Sequence, residues 1–306
     1  MVMAALVAGT AHAPAEPTPF VSQQLTPKGE YTKGIEGPAV DAQGILYVVN
    51  FGEKGTIGRL KPGAKQSQLF VKLPAGSVGS GIRFDRDGRM FVADFSKHNV
   101  FVFERGQTVP RIYFHSETFN QPNDLAMAAD GTLYASDPSF KKATGQIWRI
   151  ARGADGKGRG EVMSSERKMG ITNGLDLSPD GETLHVSESN TREIWAYKLE
   201  GAKLTTARLV KKFEKAGNSE LDGLRTDVDG NIFVARIGNG TVAVIAPDGT
   251  LIREIKLTAM SPSNLAFGGA DGKTVFVTQV HGGYIESFRV DRPGREFCLQ
   301  TATGAC

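Results

Sequence analysis

Short apolar runs, separated by polar turns that contain glycine, follow one another along the whole chain. Six such turns are each followed by a run rich in β-branched and aromatic residues, such as Ile45 to Val49. The central glycines of the turns recur every 42 to 50 residues, at Gly44, Gly88, Gly131, Gly181, Gly230 and Gly272. A repeat of this length with several strands per unit is typical of a β-propeller.

Each repeat has room for four strands, except the sixth, where no fourth apolar run is evident after Tyr284 to Phe288. A propeller must leave no open strand edge. The segment 20–25 has no other partner, so it is predicted to complete the last blade. The expected fold is therefore all-β: a six-bladed β-propeller with four antiparallel strands per blade and an N-terminal strand that closes the ring.

Composition agrees with a globular enzyme or binding protein that acts on small molecules. The chain has 306 residues, of which 40% are hydrophobic and 23% charged, and its net charge is +3. There is no long block of Lys or Arg, so neither nucleic acid nor a membrane surface is an expected partner. No stretch after the N-terminus is long and apolar enough to span a membrane. We expect a monomer.

The first residues resemble part of an export signal. Residues 1–13 form an apolar stretch that ends in Ala-His-Ala, as at a signal-peptide cleavage site, although a basic start is missing. They are interpreted as a signal-peptide remnant, with residues 14–306 as a single propeller domain. This predicts a periplasmic or secreted protein, or a cytoplasmic one if the segment is not a signal. The two cysteines, Cys298 and Cys306, could pair or be free.

One position in the repeat carries the candidate chemistry. The residue eight places before each turn glycine is polar in all six repeats, and a small residue usually follows it. These polar residues are Glu36, Ser80, Asn123, Asn173, Asp222 and Asn264. Because this position begins the innermost strand of each blade, the six side chains are expected to converge at one end of the central channel. The small neighbours would let the inner strands approach closely.

Four of these residues suit a metal ion. Glu36 and Asp222 supply carboxylates that would repel each other in a confined channel, and a divalent cation removes that conflict. Asn123 and Asn173 add amide oxygens. A set of oxygen ligands favours Ca²⁺, with Mg²⁺ and Mn²⁺ as alternatives and Zn²⁺ a less natural choice. Ser80 and Asn264 could equally bind channel water and backbone.

Four short motifs, in the expected order on the repeats, resemble the SMP-30/gluconolactonase/LRE-like family of calcium-dependent hydrolases. They are Glu36-Gly-Pro, Pro122-Asn-Asp-Leu, Thr172-Asn-Gly-Leu-Asp and Leu221-Asp-Gly-Leu, within a resemblance that runs from about residue 30 to about residue 297. The resemblance implies that Glu36, Asn173 and Asp222 are metal ligands. It also implies that Asn123 is a ligand or contacts the substrate.

The same resemblance suggests a wider substrate site. Asp124 would hold substrate hydroxyls or position Asn123. From their place in the repeat, Ser80 and Asn264 are also predicted to contact the substrate. Gln121 stands at a substrate position where sugar-lactonase members often carry Arg, which weakens the expectation of a sugar-acid substrate. The loops 51–56, 138–144 and 236–239 are predicted to set substrate preference.

The expected reaction is the opening of a lactone, in which the metal polarises the carbonyl and a water molecule attacks. Asp222 would accept the proton of that water, and Glu36 would act mainly as a ligand. The alternatives are hydrolysis of an organophosphate or aryl ester, a propeller that only binds a ligand, and a condensing enzyme of the strictosidine-synthase type. Gly-x-Ser-x-Gly and P-loop motifs are absent, which disfavours a serine nucleophile and nucleotide chemistry.

Overall fold

A computed structural model describes residues 18–301 of the chain. A short strand, β1 (Gln23–Gln24), comes before the first blade. Blade 1 consists of β2 (Tyr31–Val40), β3 (Leu46–Phe51), β4 (Thr56–Leu60) and β5 (Gln68–Lys72). Blade 2 consists of β6 (Gly79–Phe84), β7 (Met90–Asp94), β8 (Asn99–Phe103) and β9 (Arg111–His115). Blade 3 consists of β10 (Leu125–Met127), β11 (Leu133–Ser139), β12 (Thr144–Arg152) and β13 (Gly158–Val162).

Blade 4 begins after a two-residue strand, β14 (Ser164–Ser165). It contains β15 (Thr172–Leu177), β16 (Thr183–Glu188), β17 (Glu193–Glu200) and β18 (Lys203–Lys212). Blade 5 contains β19 (Glu220–Thr226), β20 (Ile232–Ile237), β21 (Thr241–Ile245) and β22 (Leu251–Lys256). Blade 6 contains β23 (Pro262–Gly268), β24 (Thr274–Gln279) and β25 (Tyr284–Arg289). Two short helices complete the list, a 3-10 turn at Phe140–Lys142 and α1 (Arg295–Gln300).

The six sheets form a closed ring, so the predicted six-bladed propeller is confirmed. The last blade is completed by β1, which pairs antiparallel with β25 through Gln23 opposite Ser287. This is the closure that the unpaired N-terminal segment predicted. Joining the two chain ends in one sheet covers the strand edge that would otherwise remain open.

The turn between the first two strands of a blade follows from local chemistry. In blade 1, one carboxylate oxygen of Asp41 accepts the backbone N–H groups of Gln43 and Ile45, both at 2.9 Å. Gly44 has a φ of 77°, a left-handed conformation that favours glycine. The other five turn glycines named above also have positive φ. The glycine that repeats along the sequence therefore marks the same type of turn in every blade.

The hydrophobic core is divided into six clusters, and each lies between two consecutive blades. For example, Ala39 and Tyr47 of blade 1 pack with Ile82 and Phe84 of blade 2. The cluster that joins the last blade to the first contains Ile35, Val48, Ala266 and Ile285. Each blade thus buries both faces against its neighbours, which explains strands that are apolar almost throughout.

The structure departs from the sequence-based prediction in two places. Blade 4 has a fifth strand, because β14 pairs parallel to β18 at its outer edge. The chain also ends in α1, a six-residue helix that the strand pattern did not predict. Within residues 18–301, no helix combines the length and the apolar character that crossing a membrane requires. The predicted signal remnant at 1–13 and Cys306 lie outside the described residues.

Candidate active site

The inner strands of five blades carry a β-bulge at the polar position. In blade 1, Glu36 pairs with Val49 and Ala39 with Tyr47, so three steps on β2 match two on β3. The same shift occurs between Gly79 and Ile82, Thr172 and Leu175, Leu221 and Leu224, and Pro262 and Leu265. A bulge re-aims a side chain relative to the pleat. In these five blades the bulge interrupts the regular alternation of side chains near the polar residue.

The glycine after the polar residue allows neighbouring inner strands to touch. A Cβ at Gly37 would lie 1.8 Å from the carbonyl oxygen of Ser80 in the next blade, and φ at Gly37 is +58°. A Cβ at Gly174 would lie 2.2 Å from the backbone nitrogen of Leu224. The close approach expected from the sequence is present. In blade 3 the same position holds Asp124, whose side chain must therefore extend into the channel.

Five of the six predicted polar side chains line one cavity of about 340 Å³ at the end of the channel. They are Glu36, Ser80, Asn123, Asn173 and Asp222. Three further lining residues, Lys54, Phe140 and Ile237, come from the three loops that were predicted to set substrate preference. The sequence therefore identified both the base of this cavity and much of its outer wall.

The carboxylates of Glu36 and Asp222 are hereafter called the carboxylate pair. Oε2 of Glu36 accepts hydrogen bonds from the backbone N–H of Gly37 and from Nδ2 of Asn264, both at 3.0 Å. Burial raises the pKa of Glu36 to about 7, although these bonds oppose the shift. Burial and then the charge of Glu36 raise the pKa of Asp222 well above its usual value. In the described part of the chain, no Arg, Lys or His forms an ion pair with either residue.

The remaining polar residues of the cavity are held by neighbours. The hydroxyl of Ser80 donates to Oδ1 of Asn123 at 3.1 Å. Nδ2 of Asn173 donates to the hydroxyl of Ser189 at 3.1 Å. These bonds join side chains that come from different parts of the chain. Two of the amides at the base of the cavity are thus each held by a serine.

Three residues predicted to contact substrate do not line the cavity. Asn264 is 1% exposed and lies behind Glu36. Asp124 is fully buried, and both its oxygens bind arginine, so it does not fit the predicted role of holding substrate hydroxyls. Gln121 is half-buried, and its backbone N–H donates to Asp137 at 2.7 Å. Contacts inside the protein account for two of these differences: Asp124 binds two arginines, and Asn264 donates to Glu36.

Beneath the carboxylate pair lies a second charged group that the sequence analysis missed. This group is hereafter called the arginine–carboxylate cluster, and its members are Arg83, Asp124, Asp176, Arg225, Arg295 and Glu296. Asp124 binds Arg83 at 3.1 Å and Arg225 at 2.8 Å. Nδ2 of Asn264 lies 3.5 Å from Oδ2 of Asp124 and so connects the cluster to Glu36. The formal charges of the three acids and three arginines cancel.

Helix α1 supplies two members of the cluster and covers the inner strands from the far side. Glu296 forms an ion pair with Arg83. Arg295 binds Asp176 at 3.2 Å and donates to the backbone oxygen of Met127 at 3.0 Å. Burial raises the pKa of Asp124, but Arg225 and Arg83 outweigh that effect and hold the pKa below its usual value. Burial raises the pKa of Glu296, against the same two arginines.

Part of this cluster had a signal in the sequence. Three residues after the polar position, the inner strands of blades 2, 4 and 5 hold Arg83, Asp176 and Arg225. A charged residue inside an otherwise apolar strand is costly unless it is paired, and such a residue predicts a partner nearby. Arg295 and Glu296 follow the last repeat, where no periodicity distinguishes them from surface residues.

The donors of the cavity fit a hard cation. Two partly buried carboxylates and two amide side chains line the same cavity, and all four can supply the oxygen ligands that Ca²⁺ prefers. Burial raises the pKa of both acids, and a bound cation would oppose that shift. Among residues 18–301, no three His, Cys, Asp or Glu side chains form a metal-binding group. A cation here would therefore depend on Asn123 and Asn173 as well as on the pair.

Comparisons with known proteins agree with this geometry. The family model for the SMP-30/gluconolactonase/LRE-like region matches residues 34–281. The chain belongs to this family. The match covers all six polar positions from Glu36 to Asn264, whereas α1 lies beyond it.

Relatives of this SMP-30/gluconolactonase/LRE-like protein include enzymes with different names. A gluconolactonase of Zymomonas mobilis is 30% identical over 280 residues, covering 80% of this chain and 76% of that protein. The diisopropyl-fluorophosphatase of Loligo vulgaris is 26% identical and covers 92% of this chain and 97% of that protein. Among solved structures, the calcium-binding protein regucalcin from Agrobacterium tumefaciens has a TM-score of 0.74 at 21% identity, covering 90% of this chain and 96% of that one. This last likeness supports the fold alone.

Proposed function

We propose that this protein is a metal-dependent hydrolase that opens lactones. One observation supports the proposal most directly. The carboxylate pair lines an accessible cavity with no ion-pair partner among the described residues, whereas the buried Asp124 in the same channel has two arginines. The gluconolactonase relative supports a lactone as the substrate class.

Glu36, Asn123, Asn173 and Asp222 would hold the metal, for which Ca²⁺ is the preferred candidate. When bound, a divalent cation supplies positive charge that polarises a carbonyl and stabilises the negative oxygen formed during attack. The oxygen donors of these four residues fit such an ion. The hydrogen bonds to Glu36 from Gly37 and Asn264 hold one of its oxygens in place, which suits a ligand that does not move during turnover.

Asp222 is proposed as the general base. It accepts a proton from the attacking water while the water oxygen forms a bond to the carbonyl carbon of the lactone. The ring C–O bond then breaks, and the proton passes from Asp222 to the alkoxide that leaves. The product is a hydroxy acid, which ionises in water. Asn123 and Ser80, which are bonded to each other, would contact the substrate beside the reacting carbonyl.

The proposal is tested by removing divalent metal from the purified protein and measuring hydrolysis of a panel of five- and six-membered lactones. Activity should fall at least 100-fold and should return when Ca²⁺ is added. Circular dichroism before and after chelation provides the control that the propeller is still folded. Undiminished hydrolysis by metal-depleted protein would overturn metal dependence, and no hydrolysis of any lactone by metal-loaded protein would overturn the substrate class.

A second candidate is hydrolysis of organophosphates or aryl esters at the same site. It is favoured by the diisopropyl-fluorophosphatase, which matches nearly the full length of both proteins. The same water activation would serve a phosphorus centre. Adding diisopropyl fluorophosphate and an aryl acetate to the panel separates the candidates by kcat/KM. A protein that binds these compounds and Ca²⁺ but turns over none of them would be a ligand-binding propeller.

A further inference from the structure

The outer wall of the cavity is largely apolar. Val78 and Phe95 of blade 2, Phe140 of the turn in blade 3, and Leu221 and Ile237 of blade 5 line it. In a ring of six blades, blade 5 lies opposite blade 2, so apolar side chains face the cavity from both sides. Phe140 is 46% exposed, and its ring centroid lies 6.5 Å from that of Phe95. An exposed aromatic residue over a cavity is a suitable contact for an apolar ligand group.

The same wall offers few groups that could bind substrate hydroxyls. Asn50 is already bonded to the backbone at both ends, donating to the oxygen of Gly34 at 2.6 Å and accepting from the N–H of Gly55 at 3.1 Å. Ser189 accepts from Asn173. Lys54 and Glu220 are the charged side chains of the outer wall, and both are exposed to solvent. A polyhydroxylated ring would leave several hydroxyls against apolar surface, which costs binding energy.

We infer that the preferred substrate is a lactone that carries an alkyl or aryl substituent, which packs between Phe140, Phe95 and Ile237 while the ring carbonyl lies over the carboxylate pair. This inference rests on the proposed function and adds the substrate class to it. A cavity of about 340 Å³ has room for a small ring with one such group.

The test compares three lactones on the Ca²⁺-loaded protein: unsubstituted γ-butyrolactone, a γ-lactone with a phenyl or hexyl group, and glucono-1,5-lactone. The substituted lactone should have the highest kcat/KM, by roughly tenfold or more over the unsubstituted ring, as expected for one apolar group in a complementary pocket. Glucono-1,5-lactone should be the poorest of the three after correction for its spontaneous hydrolysis.

Two variants test whether the outer wall of the cavity causes this preference. Phe140→Ala removes a half-exposed side chain and should leave the fold intact. It should lower kcat/KM for the substituted lactone roughly tenfold, mainly through KM, and lower that for γ-butyrolactone by a clearly smaller factor. Ile252→Ala, which removes a 51% exposed apolar side chain from β22 outside the cavity, is the matched control and should change neither substrate.

The outcomes separate this inference from the proposed function. Hydrolysis of all three lactones with a preference for glucono-1,5-lactone would overturn the inference and leave the lactonase proposal standing. An unchanged substrate ratio in Phe140→Ala would overturn the role of the wall. Failure to hydrolyse any of the three lactones, with metal bound, would overturn the proposed function and this inference with it.

Discussion

The carboxylate pair and the arginine–carboxylate cluster lie in one channel, but only the acids of the cluster have arginine partners. Asp124 is fully buried, yet two arginines keep its pKa low. Glu36 and Asp222 keep some surface open to the cavity, yet burial raises the pKa of both in the absence of an arginine. The more deeply buried acid therefore has the lower pKa. Two neighbouring positive charges change the pKa of a carboxylate more than the extent of its burial does.

This difference distinguishes acidic residues that stabilise the fold from acidic residues that are available to bind a ligand or transfer a proton. The cluster balances its own charge and ties the inner strands of blades 2, 3, 4 and 5 to α1. The pair is unbalanced and open to solvent, so it can gain from an external cation. Asn264 donates to Glu36 and lies near Asp124, so it connects the two groups directly.

The largest expected effect is on catalysis by the pair. Asp222→Asn should lower kcat for lactone hydrolysis roughly 10²- to 10⁴-fold, because the amide cannot accept the proton of the attacking water. The free energy of unfolding of the metal-free protein should stay the same or rise, because a poorly compensated charge is removed. Steady-state kinetics and urea denaturation measure the two quantities.

Glu220→Gln is the matched control for this change. Glu220 also lines the cavity, two residues before Asp222, but it is exposed. Its kcat should remain within about threefold of the wild type. If Asp222→Asn retained normal kcat, or if Glu220→Gln lost as much, Asp222 would not be the base.

The opposite result is expected for the cluster. Asp124→Asn leaves Arg83 and Arg225 without their shared carboxylate and should lower the free energy of unfolding by roughly 3–5 kcal/mol. Asp130→Asn, the same change on an exposed turn of the same blade, should cost less than about 1 kcal/mol. Equal stability of both variants in urea denaturation would remove the distinction drawn between the two groups.

Metal binding should stabilise the protein, and the carboxylate pair should supply most of this stabilisation. At a Ca²⁺ concentration 100 times its Kd, the wild type should gain about 2.7 kcal/mol of unfolding free energy. Glu36→Gln and Asp222→Asn should lose most of this gain, while Phe140→Ala should keep it. Calorimetric melting with and without Ca²⁺ measures the effect. A full shift in Asp222→Asn would mean that the cation binds elsewhere.

The pH dependence of stability tests whether Asp176 is held by Arg295 and so is unable to stabilise a charged His185. His185 pairs across the strands with Asp176, and burial lowers its pKa to about 4 against the opposing charge of Asp176. Asp180 also raises this pKa and Arg208 lowers it. Because the unfolded histidine titrates near 6.5, the unfolded state alone takes up a proton between about pH 6.5 and 4. Stability should therefore fall as the pH is lowered through this range, by up to about 1.4 kcal/mol per pH unit.

His185→Phe provides the comparison, since aromatic residues occupy the equivalent position in the other blades. Its stability should fall less steeply between pH 6.5 and 4 than that of the wild type, as measured by urea denaturation at several pH values. Parallel pH profiles would show that His185 titrates at its ordinary pKa in the folded protein. Asp176 would then be free enough to stabilise the imidazolium.

The sequence predicted the fold and most of the cavity for a common reason. A repeated turn has the same local chemistry each time, so Gly44 and its equivalents could be aligned without any structure. Once they were aligned, Glu36, Asn123, Asn173 and Asp222 fell at one position, and symmetry required them to meet. The closure by β1 followed from the need to leave no open edge.

The errors arose where the repeat gives no direction. Of the two roles expected for Asp124, holding substrate hydroxyls does not fit a buried carboxylate that binds two arginines, and positioning Asn123 stays a prediction. Asn264 was assigned to the pocket and lies behind Glu36 instead. Helix α1 has no counterpart in the other repeats, so its two charged residues could not be linked to Arg83 or Asp176.

The sequence by itself thus determined the number of blades, the turn that joins their strands and the ring of polar positions, because each depends on residues a few places apart. Tertiary structure decided which of the acids in the channel forms an ion pair with arginine. Residues more than a hundred places apart supply that charge, as in the contact of Arg225 with Asp124. Electrostatic energy depends on distance in space and on burial, so the division between a structural acid and a chemical one appears only when the ring is closed.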